Sequence, residues 1–176
     1  VGDALGAPVE FQEPGKFPVV TGYQRGGVHN LYPGQWTDDT SMALALADSM
    51  AEKGWDLHDQ MRKYVLWWKD GDYSVNGWCF DIGSTTRDSL STFNTDGDPR
   101  ACADASEGAS GNGSIMRLAP VPIRYHRLLD ADLAELCRLA EESSLTTHAS
   151  HQCLSACRYM AAVMAAGMVA PLAMAL

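Results

Sequence analysis

Positive charge is scarce in this sequence: 13 Lys and Arg stand against 22 Asp and Glu over 176 residues, leaving a formal net charge of −9. A phosphate backbone would meet a repulsive field with no basic stripe to offset it, which sets nucleic acid aside as a partner. Paired cysteines are missing as well. Cys79, Cys102, Cys137, Cys153 and Cys157 are odd in number and scattered, with no Cys-x-x-Cys, so the expectation is reduced thiols in a cytoplasmic protein. Cys153 and Cys157 share a helical face near His148 and His151, a spacing open to a soft metal but more simply explained by helix packing. Internal repeats, low-complexity linkers and sustained strand alternation are absent too, which removes solenoids and β-sandwiches. No signal-peptide pattern opens the chain.

What is present is an ordinary composition for one domain spanning 1–176, 46% hydrophobic and 20% charged, enough to bury a real core. Helical periodicity dominates, so the predicted class is all-α. Helices are expected from Thr37 to about Ala51 and from Asp56 to about Lys69, with Asp56 as cap and Met61, Val65 and Trp68 facing inward. Gly54 separates them. Further helices are expected over Ser84–Phe93, over Asp130–Glu142 with Leu133, Leu136, Cys137 and Ala140 on one face, and after His148. Glu13 to Pro33, rich in Gly and Pro, reads as a long irregular loop. From Tyr159 to Leu176 no residue is charged, but Ala, Met, Gly167 and Pro171 favour a buried helix, or one whose partner is missing, over a membrane span. The chain opens at Val1-Gly2-Asp3 and stops inside that apolar run, which sets the expectation of an N-terminal portion of a longer protein.

Chemistry concentrates at loop-to-helix junctions. Thr37-Asp38-Asp39-Thr40 puts hard oxygen donors where a helix begins, a set suited to Mg²⁺ or Mn²⁺ and equally to plain N-terminal capping. Gly108-Ala109-Ser110-Gly111-Asn112-Gly113 lets the backbone approach a ligand closely and present N–H groups, with a helix start expected behind it. It is not a Walker loop, since no Gly-Lys-Ser/Thr follows. Arg117 is expected to be structural, pairing with an internal carboxylate. Trp36, Trp67, Trp68 and Trp78 are read mainly as core. Glu10 alone would pass for a surface glutamate, Asp81 for a helix cap, and His148 for a core or capping histidine.

Taken in order, Gly2-Asp3-Ala4-Leu5-Gly6 with Glu10, the Asp38-Asp39 pair, Phe80-Asp81-Ile82-Gly83-Ser84-Thr85-Thr86, the Gly108 to Arg117 stretch and Leu145-Thr146-Thr147-His148 resemble the ADP-ribosylglycohydrolase family. The Phe80-Asp81-Ile82-Gly83 form is most similar to its dinitrogenase-reductase-activating branch. The resemblance runs from Gly2 to about Gly167. It implies a compact orthogonal multi-helix fold, incomplete on its C-terminal side, and cleavage of the bond between ADP-ribose and a modified side chain, arginine above others. It implies two Mg²⁺ ions (or Mn²⁺) held partly by Thr37, Asp38 and Asp39, with Glu10 and Asp81 as catalytic residues. Substrate contacts fall to Gly83, Ser84, Gly108, Ser110, Gly111, Asn112, Gly113, Met116 and His148. The partners implied are an ADP-ribosylated protein or small molecule and the product ADP-ribose, with neither nucleic acid nor membrane.

One family element has no match here. A second acidic sequence, Asp-x-Asp-Thr, belongs late in the family's pattern, and Mg²⁺ takes roughly six oxygens in octahedral array, more than Thr37, Asp38 and Asp39 provide for two ions. Two expectations follow: the missing ligands lie in a further part of the protein, or the chain is an ADP-ribose-binding module without turnover.

Overall fold

The computed structural model describes residues 1–169, and helices supply all of its regular structure beyond two isolated bridges. Eight are α-helical: α1 (Gly2–Gly6), α2 (Asp38–Lys53), α3 (Leu57–Asp70), α4 (Ser84–Asp96), α5 (Pro120–Tyr125), α6 (Leu128–Ala131), α7 (Leu133–Leu145) and α8 (His151–Val169). Short 3₁₀ turns cover Ala7–Val9 and Glu107–Ala109. The all-α expectation holds, and residues 13–33 are the irregular loop that their glycines and prolines predict.

Local chemistry sets most helix ends. The Asp56 carboxylate accepts from His58 N at 2.9 Å and Asp59 N at 3.0 Å, satisfying two donors that α3 would otherwise orphan. Gly71 closes the same helix in the left-handed region, at φ +78. A Cβ there would lie 2.2 Å from Gly77 O, so this corner admits only glycine.

α2 packs along α3 and α7 along α8, with α5 bridging the two pairs. Met42, Leu46 and Met50 of α2 meet Met61, Tyr64 and Trp67 of α3, Leu90 of α4, Leu136 of α7 and Cys157 and Ala161 of α8 in one continuous core. Each fully buried Leu or Met contributes about 1.5–3 kcal/mol by leaving water. Cys153 and Cys157 are core residues whose thiols reach Gly111 O and Ser114 Oγ, in keeping with packing.

Three expectations are corrected. Asp130–Glu142 is not one helix, because Asp132 takes an extended φ of −160, separates α6 from α7 and caps the latter through Glu135 N at 3.0 Å. Leu133 consequently starts α7 outside the core, at 47% exposure. No helix starts directly behind Gly113. A turn closed by Met116 N on Asn112 O at 3.1 Å follows it, and α5 begins only at Pro120. Among the tryptophans, Trp67 is core and Trp68 packs against it under Lys69, whereas Trp78 is largely exposed and Trp36 is half-buried, its indole donating to Tyr73 O.

No described helix is long and apolar enough to cross a membrane. The Pro171 end of the uncharged run lies outside the described residues.

Candidate functional site

A cleft of about 510 Å³ opens where the start of α2, the start of α4 and the 111–116 turn converge. Its volume falls in the usual range for a small-molecule site. Glu10, Asp38, Asp39 and Asp81 line one side, and Gly111, Asn112, Gly113, Met116 and His148 line the other, with Gly83 and Ser84 between them. Eleven of the fourteen residues singled out from the sequence meet there. Thr37 does not line this cleft but a smaller adjoining one of about 250 Å³, shared with Asp3, Glu10 and Asp39. Gly108 opens instead onto a groove between α4 and the 101–109 segment, and Ser110 turns away to bond Ser150 Oγ at 2.8 Å. The 3₁₀ turn over Glu107–Ala109 swings the early part of the glycine loop off the cleft, which is why these two do not join the site.

The acidic pair is not the main cap of α2. The Asp3 carboxylate, delivered by α1, accepts from Thr37 N at 3.0 Å, Thr40 N at 3.1 Å, Thr37 Oγ1 at 3.0 Å and Thr40 Oγ1 at 2.7 Å. A residue 34 positions earlier thus satisfies the helix start, and Asp38 and Asp39 are left to face the cavity. That contact supplies most of the capping and leaves to the pair one bond, from Asp39 N to Asp38 Oδ1 at 3.1 Å. Asp81 is not a cap either: Gly83 holds that position for α4, while Asp81 sits in the left-handed region at φ +62. Such backbone in a non-glycine residue is unusual and costs about 1–3 kcal/mol, a strain concentrated at functional sites.

The electrostatics report unbalanced negative charge. Burial, and then the charge of Asp39, push the Asp38 carboxyl up to about 8. Burial, Asp81 and Asp39 raise Glu10 to about 7. Asp39 is raised as well, by burial and by Asp3. Among the described residues no Lys or Arg lines the cleft. Across from the carboxylates, burial and the Arg117 guanidinium lower His148 to about 4, so its imidazole is neutral at physiological pH.

Arg117 corrects the expected ion pair. It is fully buried, and it bonds Gly113 O, Ser143 O at 3.0 Å, Thr146 Oγ1 at 3.0 Å and Thr147 Oγ1 at 2.8 Å, with its guanidinium 4.9 Å from the Tyr64 ring centroid. No carboxylate among the described residues is involved. The residue is structural all the same: it ties the glycine turn to the α7–α8 corner, where Thr147 Oγ1 in turn meets His148 Nδ1 at 2.8 Å. Gly113 is fixed by the same crowding, since a Cβ would lie 2.7 Å from His148 Cε1 and 2.8 Å from Thr86 Oγ1.

The sequence placed Asp3 in the opening motif without a role, and Phe11 and His29 carried no signal that singled them out. Phe11 lines the cleft from a left-handed backbone at φ +64, and nothing in the local pattern marks it. His29 Nε2 lies 3.1 Å from Asp81 Oδ2. The available signal was Gly26-Gly27, which forecasts a tight turn close by.

A family model described as ADP-ribosylglycohydrolase matches residues 1–175. The ADP-ribosylarginine hydrolase Tri1 of Serratia proteamaculans is 35% identical over 161 residues, 91% of this chain and 42% of that protein. The ADP-ribosyl-dinitrogen reductase glycohydrolase of Rhodospirillum rubrum is 40% identical over 128 residues, 70% of this chain and 40% of that protein. A solved structure described as an ADP-ribosylglycohydrolase-related protein complex superposes with a TM-score of 0.79 at 37% identity, over 95% of this chain and 52% of that one. The chain therefore spans about half the length of the relatives it matches.

Proposed function

The chain belongs to the ADP-ribosylglycohydrolase family, and from that premise we propose that it carries the first acidic element and the glycine turn of a metal-dependent hydrolase that releases ADP-ribose from a modified arginine side chain. The observation that carries this reading is the Asp38–Asp39 pair, relieved of most of the capping by Asp3 and facing a glycine turn across one cleft. The arginine linkage rests on two relatives: Tri1 is named for ADP-ribosylarginine, and the Rhodospirillum protein for an ADP-ribosylated reductase.

The residues present fit a hard divalent cation. Asp38 is a buried carboxylate and Asp39 a half-buried one, with like-charged neighbours and no side-chain cation among the cleft's lining residues. Thr37 Oγ1 donates to Asp3 and keeps its lone pairs for a third ligand. An all-oxygen set of this kind suits Mg²⁺ or Mn²⁺ over zinc. Thr37, Asp38 and Asp39 would hold the ion, which when bound polarises coordinated oxygens and makes water more acidic.

The chain's own groups supply the rest. Glu10, near pH 7 in its protonation balance, is suited to pass a proton to or from the reacting centre at neutral pH. Asp81, on the same wall, places negative charge where the ribose gains positive character and where a departing guanidinium would be held. The Gly111–Gly113 backbone, Asn112 and neutral His148 would fix the diphosphate end, so that the anomeric carbon lies under the carboxylates.

Incubation with ADP-ribosylarginine tests the proposal. Release of free ADP-ribose is expected, lost on chelation and in Asp38→Ala. Turnover that survives both would remove the metal from the account, and no turnover under any divalent cation would leave ADP-ribose binding without catalysis, to be measured by calorimetry.

A further inference from the structure

Residues 26–31 form a closed loop that touches both proposed catalytic segments. Gly26 and Leu31 exchange backbone hydrogen bonds at 3.0 Å, Asn30 N donates to Gly27 O at 3.1 Å, and Leu31 is buried. The loop is seated on the turn that leads into Glu10: Gly27 has φ +71, and a Cβ there would lie 2.5 Å from Ala7 O and 3.0 Å from Pro8 Cα. Only glycine allows that approach. At the loop's far side His29 meets the other segment. Its ring packs on Phe80 at 5.1 Å between centroids, tilted by 58°, and its Nε2 faces Asp81 Oδ2 at 3.1 Å. Both atoms are shielded from solvent, and among the described residues neither has a hydrogen-bond partner, so their approach is a close contact of ring nitrogen and carboxylate oxygen rather than an aligned hydrogen bond. Asp81 meanwhile holds a strained left-handed backbone and caps no helix. Backbone of that kind persists where the surrounding structure holds it.

We propose that His29 is a positioning residue for Asp81, and that the Gly26–Leu31 loop is the strap that ties the Glu10 segment to the Asp81 segment. The proposal rests on the hydrolase reading for its kinetic consequence and on geometry alone for the contact. An imidazole Nε2–H offers the carboxyl its polar neighbour and sets which oxygen faces the cleft. Glu10, His29 and Asp81 also bring one ligand atom each within 4.8 Å of one another, so a cation held by all three is the competing occupant.

Two substitutions separate these roles. His29→Phe keeps an aromatic ring against Phe80 but has no donor, whereas His29→Gln loses the ring and keeps an N–H. With ADP-ribosylarginine as substrate, His29→Phe is expected to lower kcat by on the order of 10-fold to 100-fold with KM little changed, the scale of a misplaced reacting group. His29→Gln should recover most of that loss. Recovery by Phe and not by Gln would make His29 a packing residue and overturn the proposal. Failure of both, together with weakened Mn²⁺ binding, would assign the imidazole to a cation and overturn it as well. A measurement without turnover judges the contact itself: the His29 ring ¹⁵N resonances should move in Asp81→Asn, and unchanged resonances would refute the contact. Should the wild type release no ADP-ribose, the hydrolase reading fails while the nitrogen resonances still decide whether His29 serves Asp81.

Discussion

A buried carboxylate with an acidic neighbour and no side-chain cation is an unstable way to begin a helix, and Asp38 is in that position. A cation that binds the folded protein and not the unfolded chain stabilises it by mass action. Millimolar Mg²⁺ or Mn²⁺ is therefore expected to raise the melting temperature of the wild type and not of Asp38→Ala; equal shifts in both would place the ion elsewhere. Glu10→Gln keeps shape but cannot exchange a proton, so turnover should fall by roughly 10²–10⁴-fold, with ADP-ribose affinity measured by calorimetry nearly intact. His148 gives a pH signature of its own. Its folded pKa of about 4 lies below the ordinary 6.5, so between those values the unfolded chain binds more protons, and stability falls as pH drops through that window. His148→Gln should lose less stability between pH 6.5 and 4 than the wild type in denaturant titrations.

Helices deliver these residues, and one helix is held at its start by another. Asp3→Ala removes the acceptor of four hydrogen bonds at the beginning of α2. A lost cap costs about 0.5–2 kcal/mol, and loss of a partner that orients metal ligands weakens metal binding about 10–100-fold; melting curves with and without Mn²⁺ would read both. A loss of stability with an undiminished Mn²⁺ response would make Asp3 a cap alone. Much of this level was legible in the chain. Asp56 followed by the Met61 and Trp68 face located α3, and the acidic pair marked the start of α2. What did not show was contact across distance. Asp3 lies 34 residues before Thr37, and nothing local distinguishes a capping aspartate from one that caps a remote helix. Asp132 hid a break because the apolar spacing of Leu133, Leu136 and Ala140 continues through the following turn. Gly108 and Ser110 belong to the same glycine run as Gly111, and only the 3₁₀ turn that separates their directions shows that they leave the cleft.

At the level of the whole molecule, α2 and α3, α7 and α8, and the bridging α5 form a scaffold whose loops meet on one side, and the motifs read from the sequence converge because that scaffold brings them together. The family was legible in their order. The cleft's division into an acidic wall and a glycine wall was not, since it depends on Arg117 fastening the turn at Gly113 to Ser143, Thr146 and Thr147 rather than to a carboxylate. Diffraction from crystals soaked with Mn²⁺ and ADP-ribose, recorded for the anomalous signal of manganese, tests the central claim most directly. The expected result is a peak roughly 2.0–2.2 Å from oxygens of Asp38 and Asp39, as hard cations require, with the diphosphate against Gly111–Gly113. Manganese elsewhere, or ADP-ribose bound away from this cleft, would contradict it.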